Sequence, residues 1–347
     1  MKPDDTVAVL GAGTMGAGIS QVAAAAGHPV LLYDVRTDAA AKAINDIRIN
    51  LQKLVAKGKL SAEAAAAARV TSAASIGQLG PAGLVIEAIV EDLTAKREVF
   101  AKLENIIAED CLLATNTSSI SVTAIAAALQ RPGRLAGMHF FNPAPIMELV
   151  EVVSGLATDR DCAETIYATA KAWGKTPVRL KSSPGFIVNR VARPFYLEAL
   201  KLLQERVATP ATIDAVMREA GGFRMGPFEL MDLIGNDVNL AVSKSLFEAF
   251  FYEPRFRPSL LQQELVDAGR LGRKTGRGWY DYADGAVKPM ADPEPPADLI
   301  VQRILTAIAD EAQRVVDEGI CTAEDLNLAM RKGVNYPMGP LEWRNKL

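Results

Sequence analysis

The chain has 347 residues, of which 49% are hydrophobic and 23% are charged, and its formal net charge is -3. This length exceeds one ordinary domain and predicts two or three. The balanced charge, with Lys and Arg scattered along the chain, argues against nucleic-acid binding. No apolar run approaches the roughly 20 residues of a membrane helix, and no signal-peptide core is recognisable, so we expect no membrane association.

The cysteines are three in number and isolated in sequence: Cys111, Cys162 and Cys321. An odd number without regular spacing predicts reduced thiols instead of a disulfide framework, and it shows no metal-ligand pattern. We therefore predict a cytoplasmic protein without a metal site.

Residues 6–34 read as an apolar strand, a glycine turn, an Ala-rich helix and a second strand. Gly11, Gly13 and Gly16 form GxGxxG around Thr14 and Met15. The first glycine permits the tight turn, the second lets the backbone approach a pyrophosphate, and the third lets the helix lie close to the strand. An ordinary glycine turn of an α/β unit is the alternative, but the order of the elements favours dinucleotide binding.

Asp34 ends the second strand, eighteen residues after Gly16. A carboxylate at this point accepts hydrogen bonds from the adenosine ribose and repels a 2'-phosphate, which favours NAD over NADP. Arg36, two residues later, keeps NADP as an alternative cofactor. His28 lies in the turn between the helix and the second strand and is interpreted as structural.

Buried strands LVIEAI (84–89) and LLATN (112–116) flank a helix predicted from about Leu93 to Ala108. This alternation predicts a doubly wound parallel sheet, in which ligands bind beyond the carboxyl ends of the strands. The polar residues 116–119 stand at such an end and are helix N-cap residues, ligand donors or both. Residues 37–68 are helical and charged, and their Lys53 and Lys57 belong either to a solvated face or to a phosphate contact.

His139 is one of only two histidines, and Glu151 follows it twelve residues later in the apolar strand LVEVV. Histidine can take and return a proton near neutral pH, and a carboxylate on its other ring nitrogen would fix its tautomer. A carboxylate inside an apolar strand needs a partner, because an isolated buried charge is costly. We predict that His139 is this partner; a satisfied core histidine is the alternative.

After Ser183-Pro184-Gly185 the pattern becomes helical as far as Tyr282. Asn189 is a primary amide at the apolar start of the predicted helix 186–208 and needs a hydrogen-bond partner, from the protein or from a ligand. The basic run GRKTGRGWYDY (272–282) is interpreted as a surface loop that leaves Arg273 or Lys274 free to meet a phosphate or an acid.

Residues 187–232 align with residues 300–345 at a constant offset of 113, beyond a Pro-rich linker. The match predicts a duplicated helical domain. The second copy stops about halfway and has Gln302 where the first has Asn189. We expect it to pack against the first copy, over a surface that would otherwise meet a partner subunit, and not to form a second site.

The motifs GAGTMG, NTSSI, MHFFNP, LVEVV, PGFIVNR and GRKTGRGWYDY together resemble those of L-3-hydroxyacyl-CoA dehydrogenases. The resemblance covers residues 5–283. The repeated helical domain and the sequence NRVARPFY resemble the longer branch of this family that is associated with phenylacetate degradation. Members of that branch oxidise 3-hydroxyadipyl-CoA. The short linker and the half copy depart from that branch.

The resemblance implies a Rossmann-type α/β domain over residues 1–182, an all-α domain over 183–283, a linker over 284–297 and a partial second α copy over 298–347. It implies NAD as cofactor and an acyl-CoA of fatty acid β-oxidation or phenylacetate catabolism as substrate. The family generally forms homodimers through the helical domain, whereas the partial repeat could occupy that surface in cis.

The residue roles that the resemblance implies fall into three groups. The catalytic group contains a base, its partner and two substrate-holding residues: His139, Glu151, Ser118 and Asn189. The NAD-binding group is Gly11, Gly13, Thr14, Met15, Gly16, Asp34, Glu91, Lys96, Asn142 and Lys274. In the family a serine and a lysine on the helix after the second strand help to bind CoA, which makes Lys53 or Lys57 the candidate CoA contact. The chain departs from this pattern, because Asn50 stands at the serine position and the spacing differs by one residue.

Arg193 follows Asn189 by one helical turn and could meet the distal carboxylate of a 3-hydroxyadipyl chain. An ordinary surface or interdomain arginine is the alternative. For the whole chain, the alternatives are a dehydrogenase of free hydroxy acids or sugar acids and a non-enzymatic relative of the lens crystallin type.

Overall fold

The computed structural model describes residues 1–2, 4–287 and 289–344, without the side chain of Thr37. The chain divides into two compact units, Met1–Phe186 and Ile187–Leu347. The division falls slightly later than the sequence pattern predicts, because residues 183–186 belong to the first unit.

The first unit is built on an eight-stranded sheet with the order β3-β2-β1-β4-β5-β6-β7-β8. Its inner strands are short, apolar and buried on both faces, as expected for strands that helices cover on each side. The strands are β1 (Val7–Leu10), β2 (Val30–Tyr33), β3 (Val70–Ser72), β4 (Leu84–Glu87), β5 (Leu112–Thr115), β6 (Leu135–Phe140), β7 (Leu149–Ser154) and β8 (Thr176–Lys181).

The predicted doubly wound parallel sheet is confirmed except at one pair of strands. Strands β1 to β6 pair in parallel, but β7 is antiparallel to β6, and β8 pairs in parallel with β7. The physical reason is the connection, since residues 141–148 are too few for the crossover helix that a parallel pair requires. The chain therefore reverses direction in the loop that follows Phe140.

The helices of the first unit pack their small apolar residues on the sheet, in a core that includes Ile19, Ala23, Phe140 and Ile166. The predicted helix 93–108 ends earlier, at Glu104. These helices are α1 (Thr14–Ala25), α2 (Thr37–Ala56), α3 (Ala62–Ala67), α4 (Leu93–Glu104), α5 (Val122–Ala126) and α6 (Arg160–Ala172).

The second unit is helical. The helix predicted over residues 186–208 is divided at Ala192, because Pro194 provides no N–H and is tolerated only in the first turn of a helix. Its helices are α7 (Val188–Val191), α8 (Arg193–Gln204), α9 (Pro210–Glu219), α10 (Pro227–Ile234), α11 (Asn236–Ala249), α12 (Leu260–Asp267), α13 (Ala297–Asp317), α14 (Ala323–Gly333) and α15 (Pro340–Arg344).

The two copies of the repeat share their local hydrogen bonds. Thr209 caps α9 and its equivalent Thr322 caps α14. Asp214 accepts a hydrogen bond from the backbone N–H of Phe228, and its equivalent Asn327 accepts one from that of Leu341. The last aligned residue, Asn345, lies outside the described residues.

The second copy packs against the first, with α13 lying along α8. The Nε of Arg190 donates to Glu311 at 2.6 Å, and the Nε of the equivalent Arg303 donates to Glu198, the equivalent of Glu311, at 2.8 Å. Such reciprocal pairs are the pattern of a two-fold interface, here formed within one chain.

None of the three cysteines takes part in a disulfide. Burial raises the pKa of Cys111 and of Cys162 to about 12, so both remain protonated at neutral pH. None of the described helices is long and apolar enough to cross a membrane. Among the described residues we find no cluster of side chains suited to a metal ion.

Candidate active site

The glycine loop joins β1 to α1 at the carboxyl edge of the sheet. Gly11 has φ +95°, and a Cβ there would lie 2.4 Å from the Ala88 carbonyl oxygen. A Cβ on Gly16 would lie 1.8 Å from the Gly11 carbonyl oxygen. Both positions therefore require glycine, for the turn and for the close approach of α1.

Helix α1 begins after Gly13 without a side-chain cap, which leaves its first N–H groups for another acceptor. A Cβ on Gly13 would meet no atom within 4 Å, so this glycine faces open space. An uncapped helix start beside an open glycine loop fits the pyrophosphate of a dinucleotide.

Asp34 follows the end of β2 and is joined to the glycine loop. Its carboxylate accepts hydrogen bonds from the backbone N–H of Ala12 at 2.8 Å and from that of Arg36 at 2.9 Å. Burial acts to raise the pKa of Asp34, but these backbone hydrogen bonds and the Arg36 side chain leave the pKa below its ordinary value. Asp34 is thus ionised at neutral pH.

His139 and Glu151 face each other across the antiparallel β6–β7 pair, where they are register partners. Their side chains approach to 2.7 Å between Nδ1 and Oε2, and both residues are buried. Since a carboxylate only accepts hydrogen bonds, Nδ1 is the donor and carries the proton in the neutral ring. Nε2 is then the basic nitrogen.

The aromatic rings of Phe141 and Phe186 lie against His139, with ring centroids 4.5 Å and 5.6 Å from that of the imidazole. No described residue of this unit donates to or accepts from Nε2 in a hydrogen bond. The imidazole is therefore held by Glu151 and two rings while Nε2 remains available to a ligand.

Ser118 lies in the exposed loop after β5, and Glu91 organises that loop. One oxygen of Glu91, Oε1, accepts from the Thr117 hydroxyl at 2.6 Å, from the Ser118 N–H at 2.9 Å and from the Ser119 N–H at 3.1 Å. The N-cap of the following helix α5 is Ser121, so the N-cap alternative for residues 116–119 is wrong.

Lys96 is fully buried and is bonded to two carboxylates, Glu87 Oε1 at 2.6 Å and Glu91 Oε2 at 3.2 Å. The position of Lys96 at the nicotinamide half stays a prediction, and in the structure its ammonium is enclosed by these two carboxylates. Glu87 was missed by the sequence analysis. It could have been found by the reasoning applied to Glu151, as a carboxylate in an apolar strand.

Asn142 is exposed in the loop between β6 and β7. The ammonium of Lys175 holds this loop by donating to the carbonyl oxygens of Ala144 at 2.6 Å and Met147 at 2.9 Å. The start of the loop is held by Asn116, whose side-chain oxygen accepts from the Phe140 N–H at 2.8 Å. Lys175 was also missed from the sequence.

Lys53 and Lys57 are exposed near the end of α2, one helical turn apart. Beside them, α2 and α3 enclose an apolar groove of about 560 Å³ with Arg48 at its margin. Both alternatives for these lysines, a solvated face and a phosphate contact, fit this exposed position.

In the helical unit, Asn189 is half-buried in α7. Arg193 is 4% exposed, and its guanidinium donates to the Asn239 carbonyl oxygen at 3.2 Å and to the Ser243 hydroxyl at 3.4 Å. This burial argues against the interpretation of Arg193 as a carboxylate clamp and contradicts a surface position, whereas the alternative of an interdomain arginine stays a prediction. The guanidinium is directed at α11 within its own unit.

Lys274 is paired, whereas the prediction for the basic loop left either Arg273 or Lys274 free. Its ammonium pairs with Asp237 at 2.6 Å. The loop is anchored by Asp232, a fully buried carboxylate that accepts from the N–H groups of Trp279 and Tyr280, each at 3.0 Å. Asp232 was missed because its hydrogen bonds reach across nearly fifty residues of sequence.

A sheet of this strand order, with a glycine loop at β1 and an acid after β2, defines a dinucleotide-binding domain of a dehydrogenase, in which His139 and Glu151 stand at the carboxyl edge. Residues 6–183 match the family "3-hydroxyacyl-CoA dehydrogenase, NAD binding domain", and residues 185–282 and 299–347 match its C-terminal domain. The chain belongs to the 3-hydroxyacyl-CoA dehydrogenase family, a family of oxidoreductases that act on CH–OH groups with NAD as cofactor.

Two curated relatives illustrate the range of the family. The chain is 42% identical to the 3-hydroxyadipyl-CoA dehydrogenase of Escherichia coli K12, over 99% of this chain and 90% of that protein. It is also 42% identical to the 3-hydroxybutyryl-CoA dehydrogenase of Clostridioides difficile, over 80% of this chain and 99% of that protein.

Solved structures agree with this relationship. A 3-hydroxybutyryl-CoA dehydrogenase from Escherichia coli K12 superposes with a TM-score of 0.94 and 40% identity, over 99% of this chain and 91% of that one. An (S)-3-hydroxybutyryl-CoA dehydrogenase from Ralstonia eutropha has a TM-score of 0.77 and 41% identity, over 81% of this chain and 99% of that one.

Proposed function

We propose that the chain oxidises the 3-hydroxyl of an (S)-3-hydroxyacyl-CoA to the 3-keto group, with His139 as the general base. The observation that carries this proposal is the buried 2.7 Å contact between His139 and Glu151, which leaves Nε2 as the proton acceptor. NAD, when bound, accepts the hydride that leaves C3 of the substrate.

The other roles, which are proton transfer and substrate binding, belong to residues of the chain. His139 takes the hydroxyl proton at Nε2, and Glu151 stabilises the imidazolium through Nδ1. Ser118 binds the substrate oxygen from the loop that Glu91 holds. We add Asn189 as a second substrate-binding residue and Lys53 or Lys57 as a CoA-phosphate contact, on the family resemblance.

The groups that would hold NAD are mostly on the first unit. The N–H groups at the start of α1 bind the pyrophosphate, next to Gly11, Gly13, Thr14, Met15 and Gly16. Asp34 binds the adenosine ribose, and Glu91 and Asn142 line the nicotinamide half. Lys274 takes part only if its ion pair with Asp237 opens. Lys96 contributes through Glu91.

The experiment is NADH formation from a panel of substrates that differ in chain length and terminal charge. We propose 3-hydroxyadipyl-CoA as a substrate, from the relative that matches nearly the whole chain, and (S)-3-hydroxybutyryl-CoA as the uncharged comparison. Free 3-hydroxybutyrate tests the alternative of a hydroxy-acid dehydrogenase. Equal kcat/KM for the free acid and its CoA ester would refute the proposal.

We also propose that the second copy replaces a partner subunit, so that the chain does not dimerise through its helical face. The reciprocal Arg190–Glu311 and Arg303–Glu198 pairs support this. So do the repeat-equivalent rings of Phe223 and Tyr336, which touch each other at a centroid distance of 5.0 Å, as residues beside a two-fold axis do. Light scattering that gives a dimer mass would contradict it. A cytoplasmic location is proposed from the three cysteines, which form no disulfide.

A further inference from the structure

A chain of buried polar groups runs from the sheet to the loop that carries Ser118. Glu87 ends β4 and lies beside Thr115, its register partner at the end of β5. The Thr115 hydroxyl donates to Glu87 Oε2 at 2.7 Å, and the Ile89 N–H and the Lys96 ammonium donate to Oε1 at 2.8 Å and 2.6 Å. Glu87 is therefore fixed by groups from strand β5, from the segment after β4 and from helix α4.

Exposure rises along this chain toward the loop. The side chains of Glu87 and Lys96 are fully buried, while that of Glu91 is 38% exposed. Burial acts to raise the pKa of Glu91, but the Thr117 hydrogen bond and the charge of Lys96 leave the pKa below its ordinary value. Lys96 thus keeps Glu91 ionised, in the form that accepts the hydrogen bonds of residues 117–119.

Stabilisation of the folded state does not by itself explain why these charged side chains are buried together. Taking two carboxylates and an ammonium out of water costs about as much as their attraction returns, and apolar residues of equal volume often serve stability as well. The charged groups instead fix the orientation of their neighbours, because each of them has one arrangement that satisfies all its hydrogen bonds. That arrangement ends on the backbone N–H of Ser118.

We propose that Glu87 is a positioning residue, which holds Lys96 against Glu91 and thereby holds the loop that presents Ser118. This role rests on the proposed function, in which Ser118 binds the substrate oxygen. Glu87 itself touches neither substrate nor cofactor. It is a residue for which no role was assigned from the sequence.

The first test compares Glu87→Gln with Glu104→Gln in the full chain. Glu104 is the matched control, because it is also a mostly buried carboxylate of this region, bonded to Arg134 and to the N–H groups of Gln130 and Arg131, away from Ser118. With (S)-3-hydroxybutyryl-CoA and saturating NAD, Glu87→Gln lowers kcat about tenfold to a hundredfold, as expected for a misplaced reacting group. Glu104→Gln stays within about twofold of wild type, since it changes no group near the reaction.

The second test is a double-mutant cycle with Lys96→Met. A residue that acts through Lys96 has no further effect once Lys96 is gone, so Lys96→Met/Glu87→Gln keeps the kcat of Lys96→Met or exceeds it. Losses that multiply would overturn the inference, as would a folded Glu87→Gln with wild-type kcat. If Glu87→Gln does not fold, Thr115→Val decides, because it removes only one donor to Glu87; wild-type kcat in this variant would overturn the inference.

Hydrogen exchange at the amides of Ser118 and Ser119 gives a readout that does not depend on turnover. Glu87→Gln accelerates exchange at these two amides, and Glu104→Gln does not. A wild-type chain that oxidises none of the acyl-CoAs refutes the proposed function but leaves this measurement valid. Unchanged exchange in Glu87→Gln refutes the positioning role by itself.

Discussion

At the scale of single residues, the proposed proton transfer depends on the contact between His139 and Glu151. The imidazole has one nitrogen bound to a buried carboxylate and the other without a partner among the described residues of its unit. A proton taken at Nε2 thus creates a cation directly beside a negative charge that water does not screen. Glu151 therefore orients the imidazole and lies next to the cation that forms when Nε2 takes a proton.

His139→Gln removes the base, so we expect kcat to fall about 10²-fold to 10⁴-fold, while NAD affinity, measured by calorimetry, stays near that of wild type. Glu151→Gln keeps the volume but removes the charge that holds the tautomer and stabilises the cation. It should also lower kcat far more than NAD affinity. Near-wild-type turnover in Glu151→Gln would rule out the pairing as the source of catalysis.

Asp34 has two functions that one substitution can separate from chemistry. It binds the Ala12 N–H in the glycine loop, and it is proposed to accept from the adenosine ribose. A hydrogen bond to a charged group is worth about 1.5–3 kcal/mol, so Asp34→Ala should raise the KM for NAD roughly tenfold to a hundredfold. The kcat at saturating NAD should change little.

The same Asp34→Ala variant should also lose part of its preference for NAD over NADP, because the repulsion of the 2'-phosphate disappears. Asp38→Ala, which changes an exposed carboxylate in the first turn of α2, is the control. An unchanged ratio of kcat/KM for the two cofactors would contradict the assigned role of Asp34.

At the scale of elements, the β6–β7 hairpin determines which side chains meet in the candidate active site. Residues on one strand meet those on the antiparallel neighbour one to one, and a shift by one residue would turn the side chain to the other face of the sheet. The register that pairs His139 with Glu151 is thus a property of the hairpin and not of either residue.

Helix α9 contains another buried acid, Asp214, which binds the start of α10. Asp214 accepts from the N–H groups of Phe228 and Glu229 and from the Tyr280 hydroxyl. Burial outweighs these hydrogen bonds and raises the pKa of Asp214 to about 7. Its repeat equivalent, Asn327, makes the comparable contact without a charge.

This pKa predicts a pH dependence of stability. The ordinary value is 3.8, so between about pH 4 and pH 7 the folded state binds a proton that the unfolded state has released. Stability from this group is full below pH 4 and is lost as the pH rises through about 7. We expect Asp214→Asn to gain melting temperature relative to wild type over that interval and to keep a constant difference above it. Parallel curves of melting temperature from pH 5 to pH 8 would contradict this.

At the scale of the whole molecule, the duplication places equivalent ion pairs in unequal surroundings. Arg190 is fully buried with Glu311, whereas the side chain of Arg303 is 27% exposed beside Glu198. The two copies therefore repeat the same contact, but water competes for only one of them.

Arg190→Met should destabilise the chain by about 3–5 kcal/mol, because it leaves Glu311 buried with less compensation from its remaining partner, Arg255. The matched variant Arg303→Met should cost about 1 kcal/mol or less. Urea unfolding of the full chain measures both. Equal losses of unfolding free energy in the two variants would show that burial does not distinguish the two ion pairs. The control is Arg190→Met/Glu311→Gln, which should recover stability because it also removes the buried charge of Glu311.

Local patterns in the sequence were sufficient for much of the fold and for part of the site. The glycine spacing, the short apolar strands and the helical period after Pro184 each reflect the conformation of a few neighbouring residues, which sequence patterns encode directly. The repeat at an offset of 113 likewise needed no coordinates. Glu151 was found because an acid in an apolar strand requires a partner.

Tertiary structure alone decided which partners the polar groups take. Lys96, Arg193 and Lys274 were read as ligand contacts, yet they bind Glu87 and Glu91, the Asn239 carbonyl and Asp237. Buried charges are satisfied by whatever the fold brings near them, and that proximity depends on chain packing over long sequence separations. The sequence by itself determined the elements and the candidate residues, and the packing determined which of those residues remain available to a ligand.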